Sequence, residues 1–301
     1  MQHSPCNPDT DGPSSDLLDA FCRHVIGLSW LDAKIEPDGP ADNVDACDPK
    51  VFAVSAFVIS VCDIWFLVTA GHILRDLDDR IRAGRRIVNS RLIDGFTSEE
   101  SFPPIPFTLG DTPQWYVYDD GLDYALIPLR PSFVHQLKAG GVSALGEDAW
   151  IDVPDSVDGY FLLGFPSQAA DITVTSDGER RNVNVGLGTP LLPIRHVDDL
   201  PEGLKCSAER FYARVPVTTG NVVGKTVTLT DIDGMSGGPI FAVKHSGESG
   251  FRYWVVAVQS GWVKESRVLA ACPIQPLVDA ILKNINAHDD ELDGHAVDTD
   301  G

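Results

Sequence analysis

Between Val51 and Trp262 the chain repeats one pattern: short β-rich runs cut apart by clusters of Gly, Pro and Asp. The runs are VFAVSAFVIS, WFLVTA, YALIPL, GYFLLGF, NVNVGLG, KTVTLTDI, GPIFAV and YWVVAVQSGW. Many short strands with almost no long amphipathic helix argue against alternating strand and helix units and predict an all-β sandwich or a pair of barrels. A total of 27 Gly and 21 Pro suits that many turns. Helical spacing is confined to the two ends. Leu17, Leu18, Phe21 and Val25 predict one short leading helix between Ser15 and Leu31, with Ser14 or Ser15 followed by Asp16 as its start. Leu277, Ala280, Ile281 and Ile285, behind Pro276, predict a closing helix.

Composition narrows the partners. The formal net charge is −21, and so acidic a chain repels phosphate backbones, so no nucleic-acid partner is expected. The longest apolar run, Val51 to Leu74, is broken by Ser55, Ser60, Asp63 and a Gly-His pair, well short of the ~20 apolar residues a spanning helix needs. No membrane association is expected, and the first residues lack a basic start followed by an apolar stretch, which gives an expectation of a cytoplasmic location. Cys6, Cys22, Cys47, Cys62, Cys206 and Cys272 lie far apart with no Cys-x-x-Cys pair, so no metal site, no cofactor and no disulfide framework is expected. Cys62 and Cys272 read as small buried hydrophobes. Arg75, Arg80, Arg82, Arg85, Arg86 and Arg91 read as a solvated loop paired with Asp76, Asp78 and Asp79, with an exosite for an acidic partner as the other reading. The first 15 residues and residues 288–301 are expected to be flexible.

Three segments carry the chemistry. Leu67-Val68-Thr69-Ala70-Gly71-His72 runs a strand into a histidine, Leu122-Asp123-Tyr124-Ala125-Leu126 opens an apolar strand on an aspartate, and Gly234-Met235-Ser236-Gly237-Gly238-Pro239 places a serine in a glycine-dense turn. Glycines on either side of Ser236 let a substrate carbonyl approach closely and let the N–H groups of Gly234 and Ser236 face a developing oxyanion. A serine hydroxyl is a weak nucleophile at neutral pH. It needs a base whose imidazole is held in one tautomer by an anion, and His72 and Asp123 supply both residue types at the edges of strands.

These segments resemble those of the trypsin-like, chymotrypsin-fold serine peptidases, which carry a Thr-Ala-x-His segment, an Asp-x-Ala-Leu strand and a Gly-x-Ser-Gly-Gly-Pro turn. The likeness runs loosely over residues 45–285. It implies two packed six-stranded antiparallel barrels with the site in the cleft between them. The expected organisation is an N-terminal extension with one helix over 1–44, a first barrel carrying His72 and Asp123 over 45–150, a second carrying Ser236 over 151–272, a C-terminal helix over 273–287 and an acidic tail over 288–301. The resemblance implies an endopeptidase acting on protein or peptide substrates, with Ser236 as nucleophile, His72 as general base and Asp123 orienting it. In secreted members an aspartate precedes the nucleophile and pairs with a freed N-terminus; here that position is Met235, which removes that ion pair and makes substrate- or partner-induced ordering of the turn a supplementary expectation. In that respect, and in lacking a cysteine beside His72, the chain is similar to stand-alone bacterial members.

The resemblance draws the substrate pocket from Thr230, Asp231, Asp233, Gln259, Ser260 and Gly261. Asp231 or Asp233 would favour a basic P1 side chain through a charge pair, whereas Thr230 at the base would suit a small or polar one. Ser260, or Gln259 if the alignment slips by one, is the candidate to hydrogen-bond Asp123. The alternative from a different class is a binding or regulatory module that keeps this fold with the triad idle or latent. A third reading, Cys206 as nucleophile with His196, lacks the glycine turn and an orienting acid.

Overall fold

The computed structural model describes residues 15–34, 50–93, 103–109, 114–119, 121–177, 180–198, 200, 209–222, 225–247 and 250–295. Cys6, Cys47 and Cys206 lie outside them. The N-terminal half contains α1 (Ser15–Cys22), β1 (Val25–Lys34), β2 (Lys50–Val61), β3 (Ile64–Thr69), α2 (Gly71–Arg82), β4 (Arg85–Ile93), β5 (Ile105–Pro106), β6 (Trp115–Asp119), β7 (Leu122–Pro128) and α3 (Pro131–Ala139). The C-terminal half contains β8 (Gly159–Leu163), β9 (Ala170–Asp177), β10 (Arg180–Leu187), β11 (Leu191–His196), β12 (Phe211–Arg214), β13 (Thr218–Val222), β14 (Lys225–Leu229), β15 (Pro239–Ser246), β16 (Gly250–Val263), β17 (Val268–Pro273) and α4 (Ile274–His295).

The protein is mostly β, as the strand pattern predicts, and its two halves are built differently. Strands β11-β12-β17-β16-β15-β8 close into a six-stranded barrel. The N-terminal half departs from the six-stranded first barrel expected there. It is a seven-stranded antiparallel sheet in the order β5-β4-β1-β2-β3-β7-β6 that does not close among the described residues. The reason lies in the segment read as an Arg-rich loop. Arg75 to Arg82 belong to α2, which packs against β4, β6 and β7 and so lies across the gap between the two ends of the sheet. Leu74 and Leu77 of α2 are buried with Ile26, Leu28, Val58, Leu67 and Phe107 in the core of this half. Arg85 to Arg91 form β4.

Asp32 fastens α2 and β4 to β1. Its fully buried carboxylate receives Arg80 Nη1 at 2.7 Å and Arg85 Nε at 2.6 Å. Burial opposes the charge on Asp32, but the hydrogen bonds from Arg85 and Arg80 outweigh it and hold the carboxyl below the ordinary carboxylate range. Arg75 and Arg82 take the expected partners, Asp76 and Asp79.

A second apolar cluster joins the halves: Phe21 of α1, Phe57 of β2, Tyr124 of β7, Phe241 of β15, Val255 of β16 and Leu277 and Ile281 of α4 pack together. A third fills the barrel around Leu162, Leu192, Ile240 and Leu269. Both terminal helices therefore seal the seam between the halves, and α4 runs on to His295. Hairpins β9-β10 and β13-β14 stand apart from the barrel, so the runs NVNVGLG and KTVTLTDI are not barrel strands. Cys272 is buried as expected. Cys62 is instead exposed, at φ +48 in the turn from β2 to β3, because the chain reverses there with Asp63 also at positive φ. No helix among the described residues is long and apolar enough to cross a membrane.

Candidate active site

His72 stands in the first turn of α2, immediately after β3 delivers the chain through Thr69 and the extended Ala70 (φ −78, ψ 143). Glycine is required before it. A Cβ at Gly71 would collide with the Val117 carbonyl and lie 2.8 Å from the Tyr124 carbonyl, so only a bare Cα lets the helix start this close to β6 and β7. Asp123, 4% exposed, reaches this point from the beginning of β7. Its Oδ1 accepts the backbone N–H of His72 at 2.8 Å and its Oδ2 lies 2.8 Å from His72 Nδ1. One carboxylate thus satisfies an amide that a helix start leaves unpaired and, at the same time, fixes the imidazole in the same residue. With Nδ1–H donating to Asp123, the tautomer that this geometry assigns leaves Nε2 as an acceptor.

The ring of His72 is flanked edge-on by Tyr118, the register partner of Asp123 on β6, with centroids 6.3 Å apart. Tyr118 is half exposed, and the guanidinium of Arg75 stacks over its ring, 3.8 Å from the centroid. Neither residue was anticipated as part of the site. Their signal was available only as the helical offset from His72 to Arg75 and as the cross-strand pairing of β6 with β7.

The Ser236 segment is two turns in series. Met235 N–H donates to the Ile232 carbonyl at 3.0 Å and Gly238 N–H to the Met235 carbonyl at 2.9 Å. Gly234 (φ +93) and Gly237 (φ +86) stand third in each, the position where such turns require positive φ. The turns also orient two amides. Ser167 N–H holds the Asp233 carbonyl at 2.7 Å and Gly238 N–H holds that of Met235. In a trans peptide N–H and C=O point opposite ways, so the N–H groups of Gly234 and Ser236 are turned away from those partners.

This segment packs directly on the one that carries His72. A Cβ at Gly237 would collide with Thr69 Oγ1 and the Ser55 carbonyl and lie 3.0 Å from the Ala70 amide. Gly237 N–H donates to the Gln259 carbonyl at 2.8 Å, and Gln259 N–H to that of Gly238 at 2.9 Å, which lays the turn along β16.

The residues expected to line a pocket divide into several groups. Thr230 and Asp233 are exposed, while Asp231, Gln259 and Ser260 are buried. Asp231 receives Lys264 Nζ at 2.5 Å and Trp262 Nε1 at 3.1 Å; burial opposes its charge, but Lys264 and the backbone amide of Asp233 outweigh it and hold the carboxyl below the ordinary range. The expected hydrogen bond to Asp123 comes from neither candidate. Ser260 sits at a bulge of β16, where its hydroxyl takes a hydrogen bond from Arg210 and faces the Ala270 carbonyl at 3.4 Å; Gln259 Nε2 turns back to the Gly261 carbonyl at 3.2 Å. The bulge adds a residue to one strand and rotates Ser260 toward β17, which spacing alone does not reveal. Cys272 occupies the neighbourhood instead, its Sγ 3.3 Å from the Gly121 carbonyl, and burial pushes its thiol above the ordinary range. His196 of the cysteine-nucleophile reading lies exposed at the end of β11, 3.6 Å from Asp198.

No known family profile and no curated protein sequence matches this chain. Structural neighbours are serine and viral proteases of chymotrypsin-like fold at low identity. A thermostable serine protease, AL20, from an extremophilic microorganism is 16% identical, with 85% of this chain and 92% of that chain covered and a TM-score of 0.39. The protease Anisep from Arthrobacter nicotinovorans is 15% identical over 83% and 90%, with a TM-score of 0.41. A catalytically inactive tobacco etch virus protease complexed with substrate is 12% identical over 87% and 81%, with a TM-score of 0.36.

Proposed function

We propose that the protein is a serine endopeptidase that cleaves protein or peptide substrates through an acyl-enzyme. One observation carries this reading: an imidazole whose Nδ1 is fixed by a buried carboxylate follows directly on the Thr69–Ala70 segment, and against that segment packs a double glycine turn that carries a serine and two oriented amides. In this mechanism Ser236 Oγ attacks the scissile carbonyl carbon as its proton passes to His72 Nε2, and Asp123 stabilises the imidazolium that forms. The carbonyl oxygen gains the negative charge and is received by the N–H groups of Gly234 and Ser236. When the carbon–nitrogen bond breaks, the leaving amine takes the proton from Nε2, and water then repeats the sequence on the ester. No metal or cofactor enters these steps.

The ion pair to Lys264 removes Asp231 as a free counter-charge for a basic P1 side chain. The remaining pocket chemistry comes from Thr230, Asp233 and the Gln259–Gly261 edge. The N-terminal sheet with α2 and the C-terminal barrel act as the two walls of the cleft, His72 and Asp123 on one and Ser236 on the other. The test is covalent. A fluorophosphonate probe is expected to label the wild type at one site and to leave Ser236→Ala unlabelled, with peptide-library cleavage lost by several orders of magnitude in the same variant. Equal labelling of the two proteins would refute the reading.

A further inference from the structure

Ser55 lies in the middle of β2, paired with Gly27 of β1, and has no solvent exposure. A hydroxyl in such a place must find partners, and one serine offers a single donor together with acceptor lone pairs. Both of its partners belong to the other half of the molecule. Ser55 Oγ accepts Phe165 N–H at 2.8 Å and donates to the Gly234 carbonyl at 3.0 Å. The Ser55 carbonyl in turn accepts Thr69 Oγ1 at 2.8 Å, three residues before His72. Gly164 is needed to let this happen, since a Cβ there would stand 2.7 Å from Ser55 Oγ.

The consequence is that Gly234 is pinned through both of its peptides. The preceding one is held at the Asp233 carbonyl by Ser167 N–H, and the following one at its own carbonyl by Ser55. Rotation of the Asp233–Gly234 peptide, which would turn the Gly234 N–H out of the site, must break the first bond and strain the second. Met235, where an acidic residue would offer an ion pair, is fully buried instead against Gly164.

We propose that Ser55 is a positioning residue that, with the Ser167 amide, locks the oxyanion turn in its working orientation in the intact chain, without a newly freed N-terminus, an ion pair at the residue before the nucleophile, or a partner. The proposal rests on the peptidase reading and specifies how that site is regulated: it is assembled by folding alone.

The test uses the full chain and three substitutions. Ser55→Ala deletes both side-chain bonds. Ser55→Thr keeps the hydroxyl. Ser167→Pro, at an exposed position, removes the amide hydrogen together with the side-chain hydroxyl and sets its ring against the Asp233 carbonyl, while Pro166 already has φ −66 and ψ 138, the conformation favoured before proline. Fluorophosphonate labelling rate, kcat and KM for p-nitrophenyl acetate, and melting temperature are measured for each. Ser55→Ala and Ser167→Pro are expected to lower labelling rate and kcat by about 10- to 100-fold with KM changed less than about twofold, and Ser55→Thr is expected to restore most of the loss. Ser167→Pro is expected to melt a few degrees below the wild type, since its ring displaces the Asp233 carbonyl, and to stay folded at the assay temperature, which decides the matter even if Ser55→Ala fails to fold. Wild-type labelling rates in Ser167→Pro and in folded Ser55→Ala would overturn the proposal while leaving the peptidase reading intact. A wild type that is not labelled at all would instead overturn the peptidase reading.

Discussion

The two halves solve the same problem, the exposed edge of a sheet, in opposite ways. The C-terminal half closes its six strands into a barrel and leaves no edge. Among the described residues the N-terminal half leaves its sheet open between β5 and β6 and lays α2 across the gap. The difference bears on function, because the helix that covers the open side is also the helix whose first turn holds His72. In the barrel, by contrast, Ser236 sits on a turn that leads into a strand, with Ile232 and Met235 of the turn packed in the barrel core and Gly234 pinned by Ser55 from the other half. One wall of the cleft is therefore coupled to a single helix, the other to its own core and to the opposite half.

The largest expected effect strikes the point where coupling is tightest. Asp123→Asn keeps an oxygen for the His72 amide but sets an N–H against Nδ1, so kcat should fall by about 10⁴-fold as the ring adopts the wrong tautomer; a loss under tenfold in steady-state assays would remove Asp123 from its role. Next, Leu77→Ala in α2 and Leu269→Ala in the barrel each delete a fully packed side chain and should cost about 2–5 kcal/mol by urea denaturation. Leu77→Ala should also depress kcat, by up to about 100-fold, since a shifted α2 carries His72 with it, and Leu269→Ala should do so less, because the turn next to Met235 is also pinned by Ser55 and Ser167. Equal kcat in the two folded variants would show that the walls are coupled alike.

The junction between the halves has its own signature in acid. His24 is buried between α1 and β1, with Nδ1 2.7 Å from the Ser143 carbonyl and Nε2 2.8 Å from Tyr253 Oη. Burial lowers its pKa from 6.5 to about 4. Between those values the unfolded chain binds a proton that the folded one refuses, so stability falls as pH drops below about 6.5 and the loss, about 3 kcal/mol, is complete near pH 4. Denaturation midpoints of the wild type should slope more steeply over this range than those of His24→Gln, and parallel slopes would show that His24 does not titrate with unfolding. The smallest effect is a matched control. Gly84 after α2 and Gly247 in the β15–β16 hairpin both have positive φ with open space around a Cβ. Alanine at either should cost about 1–2 kcal/mol and leave kcat unchanged, and activity loss at Gly84 alone would extend the coupling of α2 to its far end.

Of the candidate site, the pairing of His72 with Asp123 was legible before any coordinates, and the pocket residues were not. Gly-x-Ser-Gly-Gly-Pro requires positive φ at Gly234 and Gly237, and the structure has it at both. The strands around Phe57, Leu67, Leu126, Phe241 and Val255 follow from their apolar runs. By contrast, α2 was hidden because its apolar residues, Ile73, Leu74, Leu77 and Ile81, are spaced among seven charged or polar neighbours that read as a solvated loop. Strands β11, β12 and β17 were missed because they are short and continuous with turns, and the hairpins β9-β10 and β13-β14 look like barrel strands in sequence but pair only with each other.

By itself the sequence settled which residue types stand beside glycine, which runs form strands, and that a serine, a histidine and an aspartate each open or close such a run. These are local matters of backbone freedom and side-chain alternation, and spacing along the chain is enough to decide them. The tertiary structure alone decided that the N-terminal sheet stays open under α2, that Asp123 also caps the helix it serves, that Asp231 is held by Lys264, and that Ser55 reaches across to Gly234. Each of those depends on groups distant in sequence meeting under close packing, where a bulge of one residue or a missing Cβ determines the partner.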